Sequence, residues 1–260
     1  MRELELKGTR AYVRWLDLPG DEAGAPVRVY VHGLGCTGPS DFAHVVARPG
    51  LRGSRALVVD LLGHGLSDRP RDFGYTMAEQ AAVVAELLDH EGLRDVDLVG
   101  HSMGGAVAIR LAAARPDLVA RLVVAEPNLY PGGGVFSTPV ARQSEAEFVR
   151  EGHARMVAEQ APDYAARLRL ADPVALHRSA VALVVGDAPA EGDLLTGLDR
   201  PRAFLVGAHS RPDAEADAMA AAGVPVFEVP GAGHNMLIDN PDGFAETLLR
   251  ALAGARPATP

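Results

Sequence analysis

Short apolar runs rich in β-branched residues alternate with longer Ala-rich amphipathic stretches, and this alternation limits the fold more than any other feature of the chain. The strand-like runs are Leu4–Lys7, Ala11–Leu16, Val27–Val31, Ala56–Asp60, Val96–Gly100, Leu122–Ala125, Ala203–Gly207 and Val226–Val229. Several are apolar at consecutive positions rather than at every second one. That fits strands buried on both faces, as in a parallel sheet covered by helices on each side. The helix-like stretches are Met77–His90, Met103–Arg115, Pro212–Ala222 and Pro241–Ala253. Thr76, with Glu79 three residues later, forms a capping box at the start of the first of these. The pattern predicts the α/β class, with a doubly wound and mostly parallel sheet.

The alternation stops between about Pro131 and Pro201. Pro131-Gly132-Gly133-Gly134 reads as a hinge, and helical patterns follow over Ser144–Gln160, Pro162–Leu170 and Pro173–Val185. The expected organisation is a core of residues 1–135 and 200–260, with a helical cap at 136–199. Helical decoration without a part in binding is the competing reading.

Composition narrows the function classes. Among 260 residues, 25 Lys and Arg against 34 Asp and Glu leave a net charge of −9. An acidic chain is a poor partner for nucleic acid or an anionic membrane. An apolar share of 48% is too high for a disordered chain. Cys36 is the single cysteine, which excludes an intrachain disulfide or a thiolate-only metal site. No apolar run approaches the roughly 18–20 residues of a membrane span. The charged, alternating start at Met1–Lys7 lacks the apolar centre of a signal peptide, so the expected location is the cytoplasm. The tail Ala255–Pro260 is expected to fray.

The motif with the most chemistry is Gly100-His101-Ser102-Met103-Gly104, set between an apolar strand and an Ala-rich helix. Alone, it also describes an N-cap serine beside a glycine turn. A sharp strand-to-helix turn would lift Ser102 from the sheet edge, and side chains at 100 and 104 would clash there. His32-Gly33-Leu34-Gly35 follows another strand. Acyl transfer needs two donors aimed at an oxyanion, and the candidates are the backbone amides of Leu34 and Met103. Gly231-Ala232-Gly233-His234 follows the last strand, and an imidazole there can accept and return one proton. The histidines show no metal-ligand spacing, so neither a metal nor a cofactor is expected.

With these motifs and Asp60-Leu61-Leu62-Gly63-His64-Gly65-Leu66-Ser67-Asp68, nearly the whole chain resembles the α/β-hydrolase superfamily. The resemblance implies an eight-stranded, mostly parallel sheet with a lid between the sixth and seventh strands, where the helical region falls. It implies structural roles for the Asp60–Asp68 loop and His64. It implies a Ser102–His234–acid triad, whose acid usually follows the seventh strand. Ser210 stands there, and Asp213 comes three residues later. Some superfamily members, haloalkane dehalogenases included, take the acid from the end of the sixth strand, where this chain has Glu126. Glu126 is the favoured candidate and Asp213 the alternative.

A serine nucleophile excludes the carboxylate chemistry of dehalogenases. The expected activity is cleavage of a small carboxylic ester, thioester or lactone. A C–C hydrolase, an acyltransferase and a slow-turnover, receptor-like ligand binder remain alternatives. Cys36, Tyr130, Phe136 and Met236 are candidate pocket residues, with core packing the competing reading, and His177-Arg178 reads as a solvated helix face, with binding of an anionic substrate the alternative.

Overall fold

The computed structural model describes residues 1–254; the tail expected to fray lies outside them. Eight strands form one sheet: β1 (Arg2–Glu5), β2 (Tyr12–Leu18), β3 (Arg28–Val31), β4 (Ala56–Asp60), β5 (Val96–His101), β6 (Val119–Ala125), β7 (Arg202–Gly207) and β8 (Val226–Val229). Their order is β1-β2-β4-β3-β5-β6-β7-β8. β2 pairs antiparallel with both β1 and β4, and the pairings from β4 through β8 are parallel. Strands β3, β4 and β5 are buried at every position, Arg28, Asp60 and Asp97 included, as expected of strands covered on both faces. β1 begins and ends two residues earlier than its apolar pattern suggests.

The helices are α1 (Gly38–Val46), α2 (Met77–His90), α3 (Met103–Ala114), α4 (Ser137–Ala141), α5 (Glu145–Glu147), α6 (His153–Glu159), α7 (Pro162–Leu168), α8 (Pro173–Val185), α9 (Glu191–Gly197), α10 (Ala214–Ala221), α11 (Met236–Asp239) and α12 (Pro241–Gly254). A π-helical turn, Phe148–Gly152, joins α5 to α6. The capping box on α2 forms: Thr76 Oγ1 accepts from the Glu79 amide at 3.2 Å, and Glu79 Oε2 accepts from the Thr76 amide at 3.0 Å. Helix α1 has no counterpart in the periodicity, because Gly38-Pro39 at its start reads as a turn. Thr37 nevertheless caps it, with Pro39 in the first turn. Among the described residues no helix is long and apolar enough to cross a membrane.

Two cores flank the sheet. One face carries Tyr30, Val58, Val99, Val123 and Leu205 against Phe42 of α1 and Phe244 and Leu248 of α12. The other carries Val29, Val31, Leu57, Leu98 and Val124 against α2 and α3. The segment between β6 and β7 holds α4 to α9. Helix α9 lies against α3, tied by Arg110 Nε to Glu191 Oε1 at 2.8 Å. Helices α7 and α8 lie instead over the loops that leave β3 and β4. Tyr164 donates to the Leu34 carbonyl at 3.2 Å, and the Asp172 amide donates to the Gly63 carbonyl at 2.8 Å. His177 does not face solvent as expected, whereas Arg178 keeps about 30% of its side chain exposed. His177 is buried, bonded to the Gln143 carbonyl, and Arg178 joins Glu145 to the carbonyls of Arg71 and Phe73.

The loop after β4 is a scaffold. Asp60 Oδ1 accepts from the Gly38 amide at 2.8 Å and Oδ2 from the Leu66 amide at 2.9 Å. Gly65 lies so close that a Cβ there would overlap the Asp60 carboxylate. His64 is fully buried, its ring centroid 5.1 Å from that of His32. Burial pushes His64 down to about 3 and His32 to about 4, so both fold as neutral rings. In the unfolded chain each takes a proton near its ordinary value of 6.5. Their contribution to stability is therefore present above pH 6.5 and is lost as pH falls toward the depressed values. Thermal unfolding should show melting temperature falling from pH 7 to about pH 4.5, with a shallower fall in His64→Gln.

Candidate active site

Ser102 sits on the turn from β5 into α3 with φ 53° and ψ −123°, a conformation a non-glycine residue holds only under strain. Its amide donates to the Ala125 carbonyl at 2.9 Å, and its carbonyl accepts from the Gly105 amide at 2.8 Å. The flanking glycines are steric requirements. A Cβ on Gly100 would overlap the Gly104 carbonyl, and one on Gly104 would overlap the Val31 and His32 carbonyls. Helix α3 can approach the ends of β5 and β3 this closely only without those side chains.

Three side chains from three loops meet at this end of the sheet. His234, on the loop after β8, has Nε2 3.1 Å from Ser102 Oγ. Its Nδ1 lies 2.8 Å from Glu126 Oε2. A carboxylate accepts, so Nδ1 carries the proton and the bare Nε2 accepts from the serine hydroxyl. Glu126 follows β6 and is itself in a left-handed conformation, φ 39°. Its second oxygen accepts from the Gly207 amide at 2.8 Å. Burial raises its pKa, but the bonds from His234, Gly207 and Ser210 outweigh that and hold it below the ordinary glutamate value. Asp213 does not reach the imidazole: its Oδ1 caps α10, accepting from the Ala216 amide at 2.8 Å.

The amides of Leu34 and Met103 lie on the loop after β3 and at the first residue of α3. Among the described residues neither amide has a hydrogen-bond acceptor. His32 holds the first of them in place. Its Nε2 accepts from the Leu61 amide at 3.1 Å, so Nδ1 carries the proton and donates to the Gly33 carbonyl at 2.8 Å. That carbonyl shares a peptide plane with the Leu34 amide, which is thereby turned the opposite way.

A cavity of about 480 Å³ opens over Ser102 and His234, lined by Leu34, Cys36, Tyr130 and Phe136 and, from the inserted helices, Tyr164 and Leu183. Phe136 and Tyr164 meet at 5.2 Å between ring centroids. Cys36 lines the wall but is buried, and burial raises its thiol pKa well above the usual value. Met236 does not line the cavity. It is fully buried on the α1/α12 face of the sheet, because α11 turns it inward beneath the His234 loop. Asn128 and Leu183 line the cavity without having been singled out in the sequence. Asn128 was legible as a neighbour of Glu126, whereas Leu183 arrives only through the packing of α8. A larger groove of about 880 Å³ runs between β1, α2 and α3, and Ser102, His234 and Glu126 are all outside it. Among the described residues no group of three or more His, Cys, Asp or Glu is placed to hold a metal ion.

The model of the alpha/beta hydrolase family matches residues 29–247, a span that includes all of these loops. The chain belongs to the alpha/beta hydrolase family. Within curated relatives, this alpha/beta hydrolase is 53% identical over 68 residues to the lipase LipV of Mycobacterium tuberculosis, covering 26% of this chain and 25% of that one. It is 36% identical over 148 residues to the mouse sn-1-specific diacylglycerol lipase ABHD11, covering 55% and 47%. The matches thus span from a quarter to about half the length of these relatives. Among solved structures, a thermophilic esterase from Thermogutta terrifontis superposes with a TM-score of 0.79 at 24% identity, covering 98% of this chain and 99% of the other. An enol-lactonase from Burkholderia xenovorans gives 0.76 at 20% identity, covering 97% and 100%. At these identities the likeness is one of fold.

The elbow's glycines set its tolerance. Gly104→Ala in this alpha/beta hydrolase should lower unfolding free energy by about 1–3 kcal/mol, because a methyl group there must displace backbone rather than a side chain. Chemical denaturation of the two proteins checks this.

Proposed function

We propose that this alpha/beta hydrolase cleaves a carboxylic ester, or a related thioester or lactone, through an acyl-enzyme on Ser102. The observation that carries the proposal is the unbroken line from Glu126 Oε2 through His234 to Ser102 Oγ, at 2.8 and 3.1 Å, beside two backbone amides free to donate. In this reading Ser102 Oγ attacks the substrate carbonyl while His234 Nε2 takes its proton. The Leu34 and Met103 amides receive the negative charge that develops on the carbonyl oxygen. The imidazolium, steadied by Glu126, returns the proton to the departing alcohol or thiol. A water molecule then gives a proton to His234 and attacks the acyl carbon, releasing the acid and restoring the serine. The helices between β6 and β7 serve as a cap, since Phe136, Tyr164 and Leu183 form one wall of the cavity.

Charge narrows the substrate. Asp213 and Glu215 line the cavity, and among the described residues no Arg or Lys does. A neutral ester should therefore be preferred over the same ester carrying a carboxylate. The expected ratio in kcat/KM is roughly tenfold, about 1.4 kcal/mol, the scale of a partly screened like-charge contact. Paired assays of p-nitrophenyl butyrate and the monosuccinate measure it, and a preference for the anion counts against the assignment.

The principal experiment is labelling with a fluorophosphonate and mapping the adduct by mass spectrometry. Ser102 is the expected site, and Ser102→Ala should abolish both labelling and turnover while unfolding normally. Glu126→Gln should reduce kcat by as much as about 10⁴-fold if the amide also imposes the wrong tautomer on His234. Asp213→Asn should leave kcat within about threefold, as expected of a cap outside the catalytic line. The reverse ranking would reject Glu126 as the acid.

A further inference from the structure

The residue before the nucleophile is a histidine that the reaction above does not use. His101 ends β5, is 4% exposed, and its Nε2 lies 2.8 Å from the backbone carbonyl of His234. A carbonyl oxygen only accepts, so Nε2 carries the proton and Nδ1 is bare. That Nδ1 is buried and, among the described residues, has no partner. Gly33 of the loop after β3 lies against it, so close that a Cβ at 33 would come within 3.2 Å of the nitrogen.

A buried acceptor left without a donor is unfavourable, and an apolar ring would fill the same space without that penalty. The gain from histidine here is the Nε2–H bond. The two rings, His101 and His234, stand 5.0 Å apart at 43°. His234 lies on a loop after the edge strand β8, and Glu126 fixes only its ring. The bond from His101 fixes its backbone. Because His101 directly precedes Ser102, the backbone that presents the nucleophile also anchors the base, by the shortest covalent route available.

We infer that His101 is a positioning residue, whose Nε2–H holds the backbone of His234 so that its imidazole stays in line between Glu126 and Ser102. The inference rests on the proposed roles of Ser102 and His234. Burial supports it by pushing the His101 pKa down to about 3, with the neighbouring His234 adding to the effect. Glu126 and His32, the other titratable groups acting on it, oppose one another there. The ring therefore stays neutral while His234 gains its charge.

The test compares His101→Asn with His101→Gln in the full chain. The asparagine amide stops at the depth of Nδ1 and cannot reach the His234 carbonyl, whereas the glutamine amide extends to the depth of Nε2. Active sites are titrated with fluorophosphonate, so that turnover is read per functional site. In His101→Asn, kcat should fall on the order of 10–100-fold, the effect of a base displaced by about 1 Å, with KM nearly unchanged. His101→Gln should restore kcat. Wild-type kcat per site in His101→Asn, or an equal loss in the folded His101→Gln, overturns the inference. Should His101→Asn fail to fold, histidine ¹⁵N spectra of the unsubstituted protein decide: a neutral Nε2–H tautomer for His101 at neutral pH is expected, and an Nδ1–H tautomer overturns it. An unlabelled Ser102 in active wild-type protein instead rejects the serine mechanism itself.

Discussion

The close approach of α3 to the end of β5 sets the geometry on which the rest of the site depends. Ser102 must adopt φ 53° for the chain to reverse from strand to helix in so short a space. That reversal needs Gly100 to have no side chain, Gly104 lets the turn lie against the end of β3, and Gly105 lets Pro127 pack within reach of the same turn. Strain of this kind costs on the order of 1–3 kcal/mol and persists where surrounding structure over-determines it. Here the surroundings are the Ala125 carbonyl, which accepts from the Ser102 amide, and the buried strands β3 and β6 on either side of β5.

Hydrogen-bond direction carries the organisation outward from that turn. Glu126 is held on one oxygen by the Gly207 amide, which leaves the other for His234. His32 is held on one nitrogen by the Leu61 amide, which leaves the other to orient the Gly33–Leu34 peptide. In each case one contact determines what the remaining atom can do. Burial then keeps His32, His64 and His101 neutral. His234 thus stands between Ser102 and a carboxylate, with a neutral ring behind it.

The inserted helices are tied to the same loops by polar contacts. Tyr164 and Arg167, one turn apart on α7, reach the Leu34 carbonyl and the buried Asp41 of α1. Burial raises the Asp41 carboxyl to about 6, with Arg167 opposing that rise. Thus the helix that lines the cavity also braces the loop carrying the Leu34 amide.

Local chemistry made much of this legible in the amino-acid order. Largely apolar runs at β3 to β7 pointed to strands covered on both faces, and Gly-x-Ser-x-Gly between a strand and a helix demanded a tight turn with an exposed hydroxyl. Thr76 and Glu79 marked the start of α2 because a capping box is satisfied within four residues. The resemblance to the α/β-hydrolase superfamily implied an acid after β7 or at the end of β6, and Ser210 at the first place directed attention to Glu126, since a hydroxyl cannot stand in for a carboxylate. Other features had no local signature. Helix α1 was hidden by Gly38-Pro39, and Met236 could be assigned to the core only once α11 was seen to turn it inward. His177 found its partner more than thirty residues away, so its burial could not be read from its neighbours in sequence. The same holds for His101, whose acceptor is the carbonyl of a residue on another strand's loop. Sequence determines which residues can form strands, turns and caps because those rules act over a few bonds. Which side chain meets which across the sheet end depends on strand order and loop packing, and only the tertiary structure decided that.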